Sequence, residues 1–285
     1  MGERPIPAPV TVPGAEQWDI VSLATGGVHR IMLWLPQGPP PAGGFPVLYL
    51  LDGNATFATA VDALRIRIRR NDATGVPPAV VVGIGYPTDE PFAIERRSVD
   101  LTPPGTGVPG TGGATAFLRF IEEELKPAVA RALPVDPGRQ SILGHSYGGL
   151  FVLHVLFTSP GSFQTYVAGS PSIWFGDRRV LAGEAPFAAS LAERPAGTLR
   201  LLVGVGGHEQ DLSPAERRSP HAAARAVRKA GNRMVDEAAA LAARLAPLSI
   251  HGLRTEFVQF AGEDHASVLP VLIGRGIGFA LLPSD

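Results

Sequence analysis

A serine lies between two glycines in Gly144-His145-Ser146-Tyr147-Gly148. The short run Gln140-Ser141-Ile142-Leu143 before it reads as a buried strand, and Gly149 to Phe157 after it as a buried helix. A strand, a G-x-S-x-G turn and a helix, in that order, lift a serine oxygen clear of a sheet at the start of the helix. The turn is tight enough that side chains at 144 and 148 are expected to collide, which favours glycine at both. The helix start offers unpaired backbone N–H groups and partial positive charge, which suit a developing oxyanion. The chemistry implied is attack of Ser146 on an acyl carbon. The plainer reading is a strand-to-helix turn whose serine caps the helix.

Acyl transfer also needs a base, an acid to orient it, and donors for the oxyanion. Downstream of Ser146, His265 follows the last apolar run, in Gly262-Glu263-Asp264-His265, and is the candidate base. Glu209 and Asp211 both follow the run ending at Val205. Glu209, nearer the strand end, is the favoured acid and Asp211 the alternative. Asp264 adjoins His265 in sequence, where side chains rarely face each other, and is read as a cap. His154 lies in an apolar helix and reads as packed core. His145 is expected to turn away from Ser146, and His208 falls where the acid is expected. The backbone N–H of Tyr147 is one candidate oxyanion donor. The other is that of Asn54, after the flexible Gly53 in Asp52-Gly53-Asn54.

These groups require a scaffold that brings distant strand ends together. From about residue 45 onward apolar runs alternate with helical segments, which implies a mostly parallel sheet with helices on both faces. The runs Val47–Leu51, Ala79–Gly85, Phe163–Ala168, Leu199–Val205 and Leu253–Phe260 read as strands. Trp18 to Leu35 reads as a hairpin at the sheet's start. Helices are expected at 55–70, 115–133 (kinked at Pro127), 221–245 and 268–282. Residues 86–112 are expected to be irregular. In such sheets ligands collect at the carboxyl ends of the strands, where the polar clusters fall. The expectation is one domain over 1–285, with a Pro-rich arm at 1–16 and a helical, lid-like insertion near 207–247.

The chain of 285 residues has 45% hydrophobic and 18% charged residues, which allows a large core and argues against disorder. A formal charge of −1 offers no reason to expect nucleic acid or an anionic membrane as partner. With no cysteine, disulfides, thiolate metal sites and a cysteine nucleophile are excluded. No metal-binding or phosphate-loop motif is found, so no cofactor is expected. No apolar run reaches the roughly 20 residues of a membrane span. The first residues lack the pattern of a signal peptide, which reads as cytoplasmic; a periplasmic protein whose signal is absent from this sequence is the alternative. Oligomeric state is left open.

Five segments together resemble the esterase D-like branch of the α/β hydrolases: Val47-Leu48-Tyr49-Leu50-Leu51-Asp52-Gly53-Asn54, Arg96 to Pro103, Gly144 to Phe151, Ser170-Pro171-Ser172-Ile173-Trp174-Phe175, and Gly262 to Ser267. The first and third are shared widely, including with feruloyl esterases and mycolyl transferases. The second and fourth are narrower and resemble the esterases that open siderophore trilactones such as enterobactin, salmochelin and bacillibactin. The resemblance implies Ser146 as nucleophile, His265 as base, and Arg97 and Trp174 beside the substrate. A ferric tris-catecholate is a trianion with planar rings, which a guanidinium and an indole suit. The chain departs from the pattern at Gly207, where relatives often carry a glutamate. The expected partner is thus a small-molecule ester, a ferric siderophore among the candidates. A general carboxylesterase or feruloyl-type esterase is the alternative, followed by an acyltransferase and a non-catalytic binding module.

Overall fold

The computed structural model describes residues 9–193 and 199–282. One eight-stranded sheet runs through it in the order β1-β2-β4-β3-β5-β6-β7-β8. The antiparallel hairpin β1 (Ala15–Val21) and β2 (Val28–Trp34) forms one edge, and β2 pairs antiparallel with β4 (Val80–Gly85). β3 (Phe45–Leu51), β5 (Val135–His145), β6 (Thr165–Gly169), β7 (Leu199–Gly206) and β8 (Leu253–Phe260) continue it in parallel. Central strands covered on both faces must be apolar at every position. β3 and β4 accordingly bury every residue, whereas the edge strand β1 buries none and the edge strand β8 only Leu253.

Two layers of helices cover the sheet. α1 (Gly53–Ile68) follows β3, with the short α2 (Asn71–Thr74) after it. α3 (Ile94–Asp100) interrupts the segment expected to be irregular. α4 (Ala114–Arg119) passes through a π-helical stretch, Phe120–Leu125, into α5 (Lys126–Ala132). Pro127 has no N–H to donate and its ring crowds the preceding turn, so the expected kink takes the form of this widened stretch. α6 (Tyr147–Thr158) leaves the serine turn. The short α7 (Phe175–Arg178) and α8 (Glu184–Glu193), neither of them anticipated, fill the β6–β7 crossover. Between β7 and β8 come α9 (Pro214–Arg217), α10 (Ala222–Asn232) and α11 (Met234–Leu245), and α12 (Val268–Leu281) closes the fold. α1 and α12 pack one face through Phe57, Leu64, Ile273 and Ile277. α4, α6, α8 and α11 pack the other through Phe117, Phe151, Phe187 and Leu241.

Three expectations need correction. The helix foreseen over 221–245 is two helices, broken at Arg233 in the left-handed region (φ 49°). Only its first part is lid-like: α10 buries Lys229 alone, whereas α11 buries Met234, Ala238, Leu241, Ala242 and Leu245 in the core. The supposed arm at 1–16 already contains the start of β1, and its first eight residues lie outside the described ones.

Candidate active site

The register of the sheet brings the strand ends level. His145 pairs with Gly169, Gly169 with Gly204, and Gly206 with Phe260, so the residues that follow each strand emerge at one end. Ser146 has φ 60° and ψ −116°, a strained conformation for a residue with a Cβ. The glycines around it are not equivalent. A Cβ on Gly144 would stand 2.4 Å from the backbone of Gly148, and one on Gly149 would stand 2.4 Å from the carbonyl of Gly169. A Cβ on Gly148 would make only ordinary contacts, at 3.5 Å from Asp52 and Leu51. The pinch is therefore at 144 and 149, not at 144 and 148. The first backbone bond of α6 runs from the Leu150 N–H to the Ser146 carbonyl. The amides of the first turn, Tyr147 among them, consequently lack intrahelical acceptors.

His265 stands at the mouth of the site with its side chain 46% exposed, while the Glu209 side chain is 1% exposed. The two meet at 2.5 Å between His265 Nδ1 and Glu209 Oε2. The other carboxylate oxygen, Oε1, accepts from the Ser170 hydroxyl at 2.5 Å and the Gly206 N–H at 2.7 Å. Three donors thus fix a buried acid. Asp211, the alternative, is exposed, its carbonyl accepts from Lys229, and among the described residues its carboxylate makes no hydrogen bond to His265. The departure at Gly207 therefore leaves His265 with a carboxylate, supplied two residues later. His145 packs beside this pair. Its buried ring is tilted against that of His265 with centroids 4.5 Å apart, and it lines a cavity together with Ser146. Burial pushes its pKa well below the usual histidine range, so it is neutral.

Two cavities meet at Ser146 and His265. The larger, of about 580 Å³, is walled by Tyr147, Ser172, Trp174 and the inner side of α10 with Arg225, Arg228 and Lys229. The smaller, of about 270 Å³, lies toward Phe92, Ile94, Arg97 and Leu269. Trp174 thus shares this cavity with Ser146 and His265. Ser172 Oγ lies 3.5 Å from Ser146 Oγ.

The side chains of Arg97 and Asn54 are both held by neighbouring groups. Arg97 lines the smaller cavity, but its Nε and Nη2 each donate to Asp52 at 2.8 Å, and both side chains are buried. Burial opposes its charge, yet the bonds and field of Asp52 outweigh that and hold its pKa above the usual arginine value. Its charge is therefore committed, and Nη2 also reaches the His145 carbonyl at 3.4 Å. The Asn54 amide group donates to the Tyr86 and Thr88 carbonyls and accepts from the Tyr86 N–H. Asn54 lines neither cavity at Ser146 but a separate one against β1 and β2. Its candidacy rests on its backbone N–H alone.

The cations on the larger cavity are instead on α10. Lys229 is pinned to Glu216 at 2.5 Å and to the His208 carbonyl at 2.6 Å. Arg225 shares Glu216 at 3.5 Å, and Arg228 has no carboxylate partner among the described residues. The Ala/Arg composition of this helix was the available sequence signal, but it did not say which arginines face inward. Ser170 and Ser172 were visible only as part of a motif.

An eight-stranded sheet of this order, with a serine elbow after β5 and an acid–histidine pair after β7 and β8, defines an α/β hydrolase. The chain belongs to the family described as "Putative esterase", whose model matches residues 22–252. It is 43% identical to the ferri-bacillibactin esterase BesA of Bacillus subtilis, over 96% of this chain and 91% of the relative. It is 38% identical to the siderophore triacetylfusarinine C esterase of Aspergillus fumigatus, over 97% and 96%. Among solved structures, siderophore hydrolase EstB of Aspergillus nidulans superposes with a TM-score of 0.87 at 32% identity, covering 98% of this chain and 99% of that one.

Proposed function

We propose that this protein is a serine esterase that hydrolyses the ester bonds of a siderophore, with a catecholate trilactone as the specific substrate. The relatives named above act on siderophore esters, and they match along nearly the whole chain. The observation that carries the reading is the His265–Glu209 pair beside Ser146, at the floor of a cleft walled by Trp174 and arginines.

In this reading Glu209 holds Nδ1 of His265 as a donor, which leaves Nε2 to take the proton from Ser146. Ser146 Oγ attacks the ester carbonyl. The oxyanion forms at the start of α6, where the Tyr147 N–H donates to it; one such donor is typically worth about 3 kcal/mol in the transition state. His265 returns the proton to the leaving alkoxide, and water hydrolyses the acyl-enzyme by the same steps. Trp174 gives a catechol ring a face to stack on, and Arg225 and Arg228 offset the charge of the ferric complex.

The test is product analysis by liquid chromatography and mass spectrometry. The protein and its Ser146→Ala variant are incubated with iron-free and ferric enterobactin, bacillibactin and triacetylfusarinine C, and with p-nitrophenyl acetate. Linear products from a catecholate trilactone with the native protein only are expected. Turnover of p-nitrophenyl acetate alone overturns the siderophore assignment, and turnover by the variant overturns the serine mechanism.

A further inference from the structure

The smaller cavity reaches Ser146 and His265 without the cations of α10. Its outer wall is Phe92, Ile94, Ala266 and Leu269, and Ile94 leaves 64% of its surface exposed at the rim. The two polar groups in it, besides the reacting pair, carry no available charge. Arg97 is closed by Asp52 and covered by the Phe92 ring, 5.3 Å from the guanidinium carbon. His145 is buried between the elbow and the His265 ring. An ionic group placed here would lose water and gain no free counter-charge, whereas an apolar group would lose only unfavourable hydration. At about 270 Å³ the chamber is just below the roughly 300 Å³ at which pockets for whole drug-sized ligands begin, so it suits a substituent and not a whole siderophore.

We infer that this chamber is a separate subsite for an uncharged, apolar substituent next to the scissile ester, and that it gives the enzyme a second activity on simple aliphatic esters. The inference rests on the esterase reading of Ser146 but not on the siderophore. An ester has two sides, and the cavities open from the same serine. A bulky charged part fills the cleft under α10 while the substituent on the other side enters the chamber. A small aliphatic ester needs only the chamber. The same chemistry reaches the chamber from the acyl side or the alcohol side, and the two are distinguished by varying each in turn.

Two substrate series test this: p-nitrophenyl acetate, butyrate and hexanoate for the acyl side, and ethyl, butyl and hexyl acetates in a pH-stat for the alcohol side. kcat/KM is expected to rise about tenfold in one series, either from acetate to butyrate on the acyl side or from ethyl to butyl on the alcohol side, since two methylenes leave water. Leu269→Trp, which fills the chamber, is expected to remove that preference, bringing the butyrate-to-acetate or butyl-to-ethyl ratio, whichever showed it, near one. Ile94→Trp at the rim serves the same purpose should Leu269→Trp fail to fold. Trp174→Ala, on the other cavity, is expected to keep the native ratio. Ratios that stay flat with length in both series, or a preference that survives both tryptophan variants, overturn the subsite while leaving the esterase intact. Absence of any ester turnover by the native protein, or turnover by Ser146→Ala, overturns the esterase reading and the subsite with it.

Discussion

Glu209 lies beneath His265 with its side chain sealed from solvent, and one carboxylate oxygen, Oε2, stands 2.5 Å from the imidazole Nδ1. The other oxygen is saturated by Ser170 and the Gly206 N–H. An acid held this way cannot turn aside, so it fixes both the tautomer and the plane of the ring. Glu209→Gln is expected to lower kcat roughly 10³-fold to 10⁴-fold with a much smaller change in KM. Asp211→Asn is expected to stay within about twofold of native. Steady-state kinetics on p-nitrophenyl butyrate checks both. Equal losses for the two variants would dismiss Glu209 as the orienting acid.

Arg97 and Asp52 tie the end of β3 to the elbow through a bidentate pair and the His145 carbonyl. Removing one partner strands the other charge in the interior, at a cost of about 3–5 kcal/mol. Asp52→Ala and Arg97→Ala are each expected to lose that much in urea denaturation. The double variant is expected to lose far less than the sum. Additive losses would show that the two side chains act independently.

The glycines of the elbow carry different loads. Gly144→Ala drives a methyl into the backbone of Gly148, and the strand end must shift. A loss of about 1–3 kcal/mol is expected, with displacement of Ser146 and a fall in activity. Gly148→Ala meets its neighbours at ordinary distance and is expected to lose under about 1 kcal/mol. Thermal melts with parallel rate measurements decide between them. Reversal of the order would mean that the tightness lies elsewhere in the turn.

Arg228 faces the larger cavity without an acidic partner among the described residues. Arg228→Ala is expected to raise KM for a ferric catecholate about threefold to tenfold at low ionic strength, leaving kcat near native. The difference is expected to shrink in high salt, because exposed charges are screened over about 10 Å at moderate ionic strength. Titration of KM against salt for both proteins is the check. A KM that does not depend on salt would remove charge attraction as the role of this residue.

His154 is buried in the apolar α6, and burial lowers its pKa to about 4 from the ordinary 6.5. The unfolded chain therefore binds the proton that the folded chain refuses between those values. Stability is full above about pH 6.5 and is lost as pH falls toward 4, by up to roughly 3 kcal/mol for this group. His29 behaves alike, with its pKa also near 4, whereas buried Asp100, raised to about 6, loses stability in the opposite sense as pH rises from about 4 to 6. His154→Gln is expected to flatten the fall in stability between pH 7 and 4.5, read from urea midpoints. An unchanged slope would show that His154 is not a contributor.

The elements that need only local pattern were legible in the chain. Val47 to Leu51 has the unbroken apolarity of a strand covered on both faces, and the structure buries it entirely. Gly144 to Gly148, between a strand and an apolar helix, marked the elbow. The closeness of His265 and Glu209 was legible because polar residues just past a strand end in a parallel sheet share one edge. The break at Arg233 was not legible. The Ala-rich run around it suits a helix throughout, and the division comes from α11 docking on the sheet while α10 stays over the cleft.

The order of chemical groups along the chain is set by sequence alone: a serine on a turn, an acid after the next-to-last strand, a histidine after the last. Which groups remain free to act is decided in three dimensions. Arg97 reads as an available cation until Asp52, 45 positions earlier, closes on it. Asn54 keeps only its backbone N–H as a candidate donor, because its side chain is spent on the Tyr86 and Thr88 carbonyls. Arg225 and Arg228 belong to a segment that reads only as lid-like, and the docking of α10 is what puts these two on the cleft. Whether a charge is spent or available depends on what packs against it, and such partners are chosen by sheet register and helix docking over distances that local pattern does not encode.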